Sequence, residues 1–167
     1  DVWANREMFD LDEEGNPQTV AGVPPDYFSP SGQHWGNPQY NWDIMKKDGY
    51  SWWIQNLKQL LLLTDIVRLD HFRGYESFWS IPAEAPTAAT GSWVKGPGMD
   101  LFNAVMTEAG PLPLIAEDLG VITPAVEELR LSAGLRGMKV LQFSFSEDPV
   151  ALSNLEDRIV YTGTHDN

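Results

Sequence analysis

The chain has 167 residues, 43% of them hydrophobic and 21% charged, the proportions of one globular domain with a core of its own. Its 24 acidic residues against 11 basic ones give a net charge of -13, which argues against a nucleic-acid or anionic-membrane partner and favours a neutral ligand. With no cysteine there is neither a disulfide framework nor thiolate chemistry, and the apolar stretch around Leu60 to Leu63 is too short for a membrane span of about 20 residues.

Residues 1–45 come first and carry Pro17, Pro24, Pro25, Pro30 and Pro38 among Gly15, Gly22, Gly32 and Gly36, which break regular elements. Their aromatics, Trp3, Phe9, Tyr27, Phe28, Trp35, Tyr40 and Trp42, predict a structured loop region, because disordered segments are poor in such residues. From Lys46 onward helical and strand-like segments alternate. Tyr50, Trp53, Ile54, Leu57, Leu60 and Leu61 recur at helical spacing and predict one helix over 46–63. DIVRLD (65–70) reads as a short strand, residues 98–109 as a helix, and PLIAED (113–118) as a second strand closed by acids. Thr123 before Pro124, with Gly134 beyond the last turn, predicts a capped helix. MKVLQFSF (138–145) and RIVYTGTHD (158–166) read as two more strands.

Strands alternating with helices predict an α/β fold of parallel βα units over residues 46–167. Such strands are covered on both faces and collect function at their C-terminal ends. The charges of this chain fall there: Arg68 and Asp70, Glu117 and Asp118, His165 and Asp166. In a (β/α)8 barrel a whole ring of strand ends faces one mouth, but a complete barrel takes about 250 residues, so this chain would supply its central portion only. Starting at Asp1 and stopping at Asn167 in mid-motif, it reads as a piece of something longer, inactive and marginally folded alone because an open barrel exposes sheet edges.

Carboxylates ending neighbouring strands suit a retaining glycosidase, in which one attacks the anomeric carbon and the other protonates the leaving oxygen and then activates the acceptor. Asp70 fits the first role, with Arg68 two residues earlier on the same side as its counter-charge. Glu117 fits the second, provided burial and the charge of Asp70 raise its pKa. Asp166 would bind sugar hydroxyls. Against these stand plainer readings: a structural Arg68–Asp70 ion pair, acids that only open a loop, and His165 with Asp166 as half of a metal site in a metal-dependent hydrolase. With three histidines in all, His34, His71 and His165, a zinc-type cluster has few ligands to draw on.

VAGVPPDYFSPSGQHWGNPQYNW (20–42), VRLDHFRG (67–74), WVKGPG (93–98), LIAEDLGVITP (114–124), MKVLQFSF (138–145) and YTGTHDN (161–167), in this order, together resemble the 4-α-glucanotransferases, the amylomaltases and plastid disproportionating enzymes related to α-amylases. The resemblance implies a (β/α)8 TIM barrel, residues 1–45 as an active-site loop region, and transfer of α-1,4-glucan segments between maltooligosaccharides or starch chains without a cofactor. It implies Asp70 as nucleophile, Arg68 as its partner, Glu117 as general acid/base, and Asp166 holding ring hydroxyls with His165 beside it. Tyr27, Phe28 and Trp35 match the aromatic loop over the cleft and Phe143 an aromatic at the donor sites, while Asp26 and His71 fall within matching motifs as substrate-binding candidates. Arg73 reads as structural. The link between LQFSF and YTGTHDN is several residues shorter than the family pattern. A cytoplasmic location follows from the resemblance, with a plastid one open. The rival readings are an α-amylase-type hydrolase and an inactive glucan-binding relative, the latter disfavoured because all three acids are present.

Overall fold

The computed structural model describes residues 2–26, 29–144 and 155–165. In chain order the elements are β1 (Thr19–Val23), β2 (Gln33–Pro38), α1 (Trp42–Lys47), α2 (Ser51–Leu60), β3 (Val67–Leu69), α3 (Arg73–Glu76), β4 (Ser77–Pro82) and β5 (Ser92–Lys95). They continue with α4 (Met99–Ala109), β6 (Leu114–Ala116), α5 (Pro124–Ser132), β7 (Gly137–Val140), α6 (Leu141–Ser144) and β8 (Arg158–Tyr161).

The fold is mixed α/β. β3 pairs in parallel with β6, Leu69 opposite Ala116, and β7 pairs in parallel with β8. A parallel bridge between Ile115 and Arg136 joins the two pairs, the Ala116 N–H donating to the Arg136 carbonyl at 2.8 Å. The four strands therefore follow one another in sequence order, with α4 between β3 and β6 and α5 between β6 and β7, as βα units require. Helices α2, α4 and α5 cover one side. They bury Ile54 and Leu57, Leu101, Phe102 and Val105, and Val126 and Leu129 against Leu69 and Ala116. Each large apolar side chain so removed from water contributes roughly 1.5–3 kcal/mol. As the cap pattern predicts, Thr123 accepts the Val126 N–H at 3.4 Å and Pro124 opens α5.

Three expectations are corrected. The helix expected over 46–63 is two helices: α1 starts earlier, where the Asn41 side chain accepts the Ile44 N–H, and the chain breaks at Gly49 and Tyr50, both at positive φ. Tyr50 tolerates a left-handed backbone at φ 58° because its ring is buried in the core. The strand expected over 138–145 stops at Val140, and α6 begins at Leu141.

Residues 1–45, expected to be irregular, contribute β1 and β2 to a four-stranded antiparallel sheet ordered β2-β1-β4-β5. Its small core is Val20, Ile81 and Ala88. Gly22 permits the β1–β2 approach, since a Cβ there would collide with the Gln33 carbonyl and the Ile81 side chain. The aromatics of this region divide. Phe9, Tyr40 and Trp42 pack with Trp52, Trp53 and Tyr75, whereas Trp3 is exposed. Because α3 runs straight into β4, the antiparallel sheet is anchored beside the C-terminal end of β3.

Candidate active site

The register of β3 and β6 sets the site. Leu69 and Ala116 are paired and turn into the helix-lined core, 4% and 0% exposed, so Arg68, Asp70 and Glu117 turn to the other side. Asp70 and Glu117 are the next residues along two strands spaced about 4.8 Å apart.

The two carboxylates are held differently. Asp70 is ion-paired with Arg68, and its side chain remains 77% exposed. Arg68 also reaches the Met138 sulfur on β7 at 4.0 Å. With Met138, Tyr161, Gly163, Thr164 and His165 it lines an open cleft of about 270 Å³. Glu117 is partly buried and receives two backbone donors: the His71 N–H at 2.6 Å on Oε2 and the Leu119 N–H at 3.2 Å on Oε1. Burial pushes its carboxyl above the usual range; the His71 and Leu119 N–H groups pull it down, the Asp70 charge adds to the rise, and Arg68 opposes it. One acid is thus exposed beside a guanidinium, and its neighbour is biased towards holding a proton.

His71 takes part through its backbone. It sits at φ 45°, a left-handed conformation that turns its N–H onto Glu117. Its ring is buried, which lowers its pKa and keeps it neutral at pH 7, and it meets the Trp35 ring edge-on at 5.0 Å. Trp35 itself is 45% exposed on β2. Asp26 shapes the turn after β1, accepting the Ser29 N–H at 2.7 Å. Phe143 is partly exposed on α6, beyond the end of β7. Arg73 stacks its guanidinium 3.9 Å from the Trp93 ring centre and donates to the Val121 carbonyl at 2.6 Å, tying the antiparallel sheet to the loop beyond Glu117. Tyr27, Phe28, Asp166 and the short link after LQFSF, apart from residues 155–160, lie outside the described residues. Asp118, a strand-end acid like the others in the sequence, points away from the cleft into a buried pair with Arg158 and Arg130. Among the described residues no three His, Asp or Glu side chains gather as a metal site would need.

This geometry can be set beside known proteins. The sequence profile of the 4-alpha-glucanotransferases matches residues 1–167, the whole chain. The chain belongs to this family. It is 56% identical over 173 aligned positions to the 4-alpha-glucanotransferase of Thermus thermophilus, covering all of this chain and 35% of that protein. Against the chloroplastic/amyloplastic 4-alpha-glucanotransferase of Solanum tuberosum the identity is 50%, covering 100% of this chain and 30% of the potato protein. Among solved structures, amylomaltase from Streptococcus agalactiae in complex with acarbose superposes with a TM-score of 0.94 at 41% identity, over 99% of this chain and 34% of that one. The chain spans about a third of the length of these 4-alpha-glucanotransferases. No helix among its described residues is long and apolar enough to cross a membrane.

Proposed function

We propose that this chain forms the central part of a (β/α)8 barrel in a 4-α-glucanotransferase that moves α-1,4-glucan segments between maltooligosaccharides or starch chains. The observation that carries the reading is the placement of Asp70 and Glu117 at the ends of adjacent parallel strands, one exposed beside Arg68, the other raised in pKa by burial. In this mechanism an Asp70 oxygen attacks the anomeric carbon as the glycosidic C–O bond breaks, and Glu117 gives its proton to the departing oxygen. A covalent glycosyl ester on Asp70 results. Glu117, now a carboxylate steadied by the His71 and Leu119 N–H groups, takes the proton of an incoming 4-hydroxyl, whose oxygen displaces Asp70. Asp166 and His165 hold sugar hydroxyls, and the intermediate rides on a carboxylate, so no cofactor is required. Work in the cytoplasm belongs to the same proposal, with a plastid as the setting of the potato relative's name.

The test is the product profile of the full-length protein on maltotriose. A ladder of longer maltooligosaccharides together with glucose is the expected result; glucose and maltose alone would make it a hydrolase on the same acids.

Transfer also needs water kept from the ester. Trp35 of β2, packed on the His71 ring beside the Glu117 donor, supplies that cover together with Tyr27 and Phe28 and stacks on substrate with them, with Asp26 setting the turn and Phe143 meeting the donor. Replacing Tyr27 and Trp35 by Ala raises the share of glucose released by hydrolysis. An unchanged ratio of transfer to hydrolysis would remove the loop from this role.

A further inference from the structure

Asp118 follows Glu117 directly and turns the opposite way, towards α5. Its side chain is 0% exposed. Oδ1 accepts the Met138 N–H at 2.8 Å, at the start of β7. Oδ2 meets two guanidiniums, that of Arg158 on β8 in direct contact and the Arg130 Nε of α5 at 3.4 Å. Arg130, itself 2% exposed, donates to the Leu135 carbonyl at 2.6 Å, binds Glu127 at 2.8 and 3.1 Å, and pairs with Asp157 at 2.8 Å. One carboxylate therefore ties the end of β6 to α5, β7 and β8. The residue before it is Glu117, and the residue after it supplies one of the two N–H donors of the Glu117 carboxylate.

We propose that Asp118 is a positioning residue for Glu117, anchoring the 117–119 turn so that the Glu117 carboxylate and the Leu119 N–H meet. Gly137 completes the anchor. A Cβ there would lie 2.7 Å from Asp118 Oδ1 and closer still to Oδ2 and to Arg158, so an alanine would push the Asp118 carboxylate and the Arg158 guanidinium aside. This inference rests on Glu117 being the acid/base of the proposed reaction. A network serving stability alone would hold the strands together without affecting the chemistry of the folded protein.

Gly137→Ala separates the two, because it displaces Asp118 without altering any charge. The substitution leaves chemically unaltered the charged groups that act on Glu117, Asp70 and Arg68 from β3, as well as His71 after that strand and His165, which shares the cleft with Arg68. In the full-length protein carrying Gly137→Ala, maltotriose transfer per folded molecule falls about tenfold to a hundredfold in kcat, with KM within about twofold. The 13C carboxyl titration of Glu117, assigned by its loss in Glu117→Gln, moves to higher pH as the Leu119 bond to the ionised form is lost. A lower melting temperature with kcat and the Glu117 titration unchanged would overturn the proposal. Should Gly137→Ala not fold, Asp118→Asn decides by the same split of kcat against KM. If the unaltered protein transfers no glucan, the functional reading falls, and the titration of Glu117 still tests the positioning.

Discussion

Asp70→Asn in the full-length protein reduces glucan transfer by about 10⁴-fold or more, the scale on which loss of an attacking nucleophile is felt. The amide keeps the shape of the side chain and can still accept from Arg68, so binding and folding are spared while the attacking oxygen loses its charge. The loss therefore falls on kcat, with the melting temperature little changed, because an ion pair whose acid is 77% exposed adds at most about 1 kcal/mol. Steady-state kinetics on maltotriose and a thermal melt check both halves. Residual transfer above about a hundredth of the parent rate would mean that another group attacks, and a large drop in melting temperature would mark the pair as structural.

Glu117→Gln acts on the other half of the reaction and leaves a different signature. With maltotriose the rate falls by about 10² to 10⁴, the span of positioned acid–base catalysis. With an α-glycosyl fluoride the leaving group needs no proton, so the first step recovers and the glycosyl ester accumulates. The pH profile carries the sign. Burial raises the Glu117 pKa, so the parent keeps its general acid protonated to higher pH than an exposed carboxyl could, and its activity falls on the alkaline side as that proton is lost. The glutamine variant, assayed with the fluoride donor, lacks this alkaline fall. Equal damage with both donors would exclude Glu117 as the acid.

Much of this site is legible in the sequence. Arg68, Asp70 and Glu117 stand where apolar runs turn charged, and parallel strands place such residues at one end of a sheet. The cap of α5 was equally plain, because Thr, Pro and Gly each act through local backbone chemistry. What escaped has physical causes. β1 carries Gly22, where its register with β2 slips, and β4 carries aromatics that share strand and loop preferences, so TVAGV and SFWSIP show no clean alternation. The break at Tyr50 depends on tertiary burial of its ring, which overrides the preference against positive φ. LQFSF is too short an apolar run for periodicity to separate strand from helix. The His71 donor to Glu117 is a backbone N–H, and a backbone donor has no residue type to betray it. The partners of Asp118 lie at 130, 138 and 158, so its inward turn shows only once α5, β7 and β8 are assembled around it.

In the proposed mechanism Asp70 carries the sugar between donor and acceptor. The covalent step can be trapped by incubating full-length Glu117→Gln protein with α-maltosyl fluoride, digesting it with pepsin, and weighing the peptides. The expected result is a maltosyl adduct on the peptide spanning VRLDHFRG, located at Asp70 by fragmentation and absent from the same digest of the doubly substituted Asp70→Asn, Glu117→Gln protein. An adduct on any other carboxylate, or rapid turnover of the fluoride with no covalent adduct and inverted anomeric configuration, would contradict it.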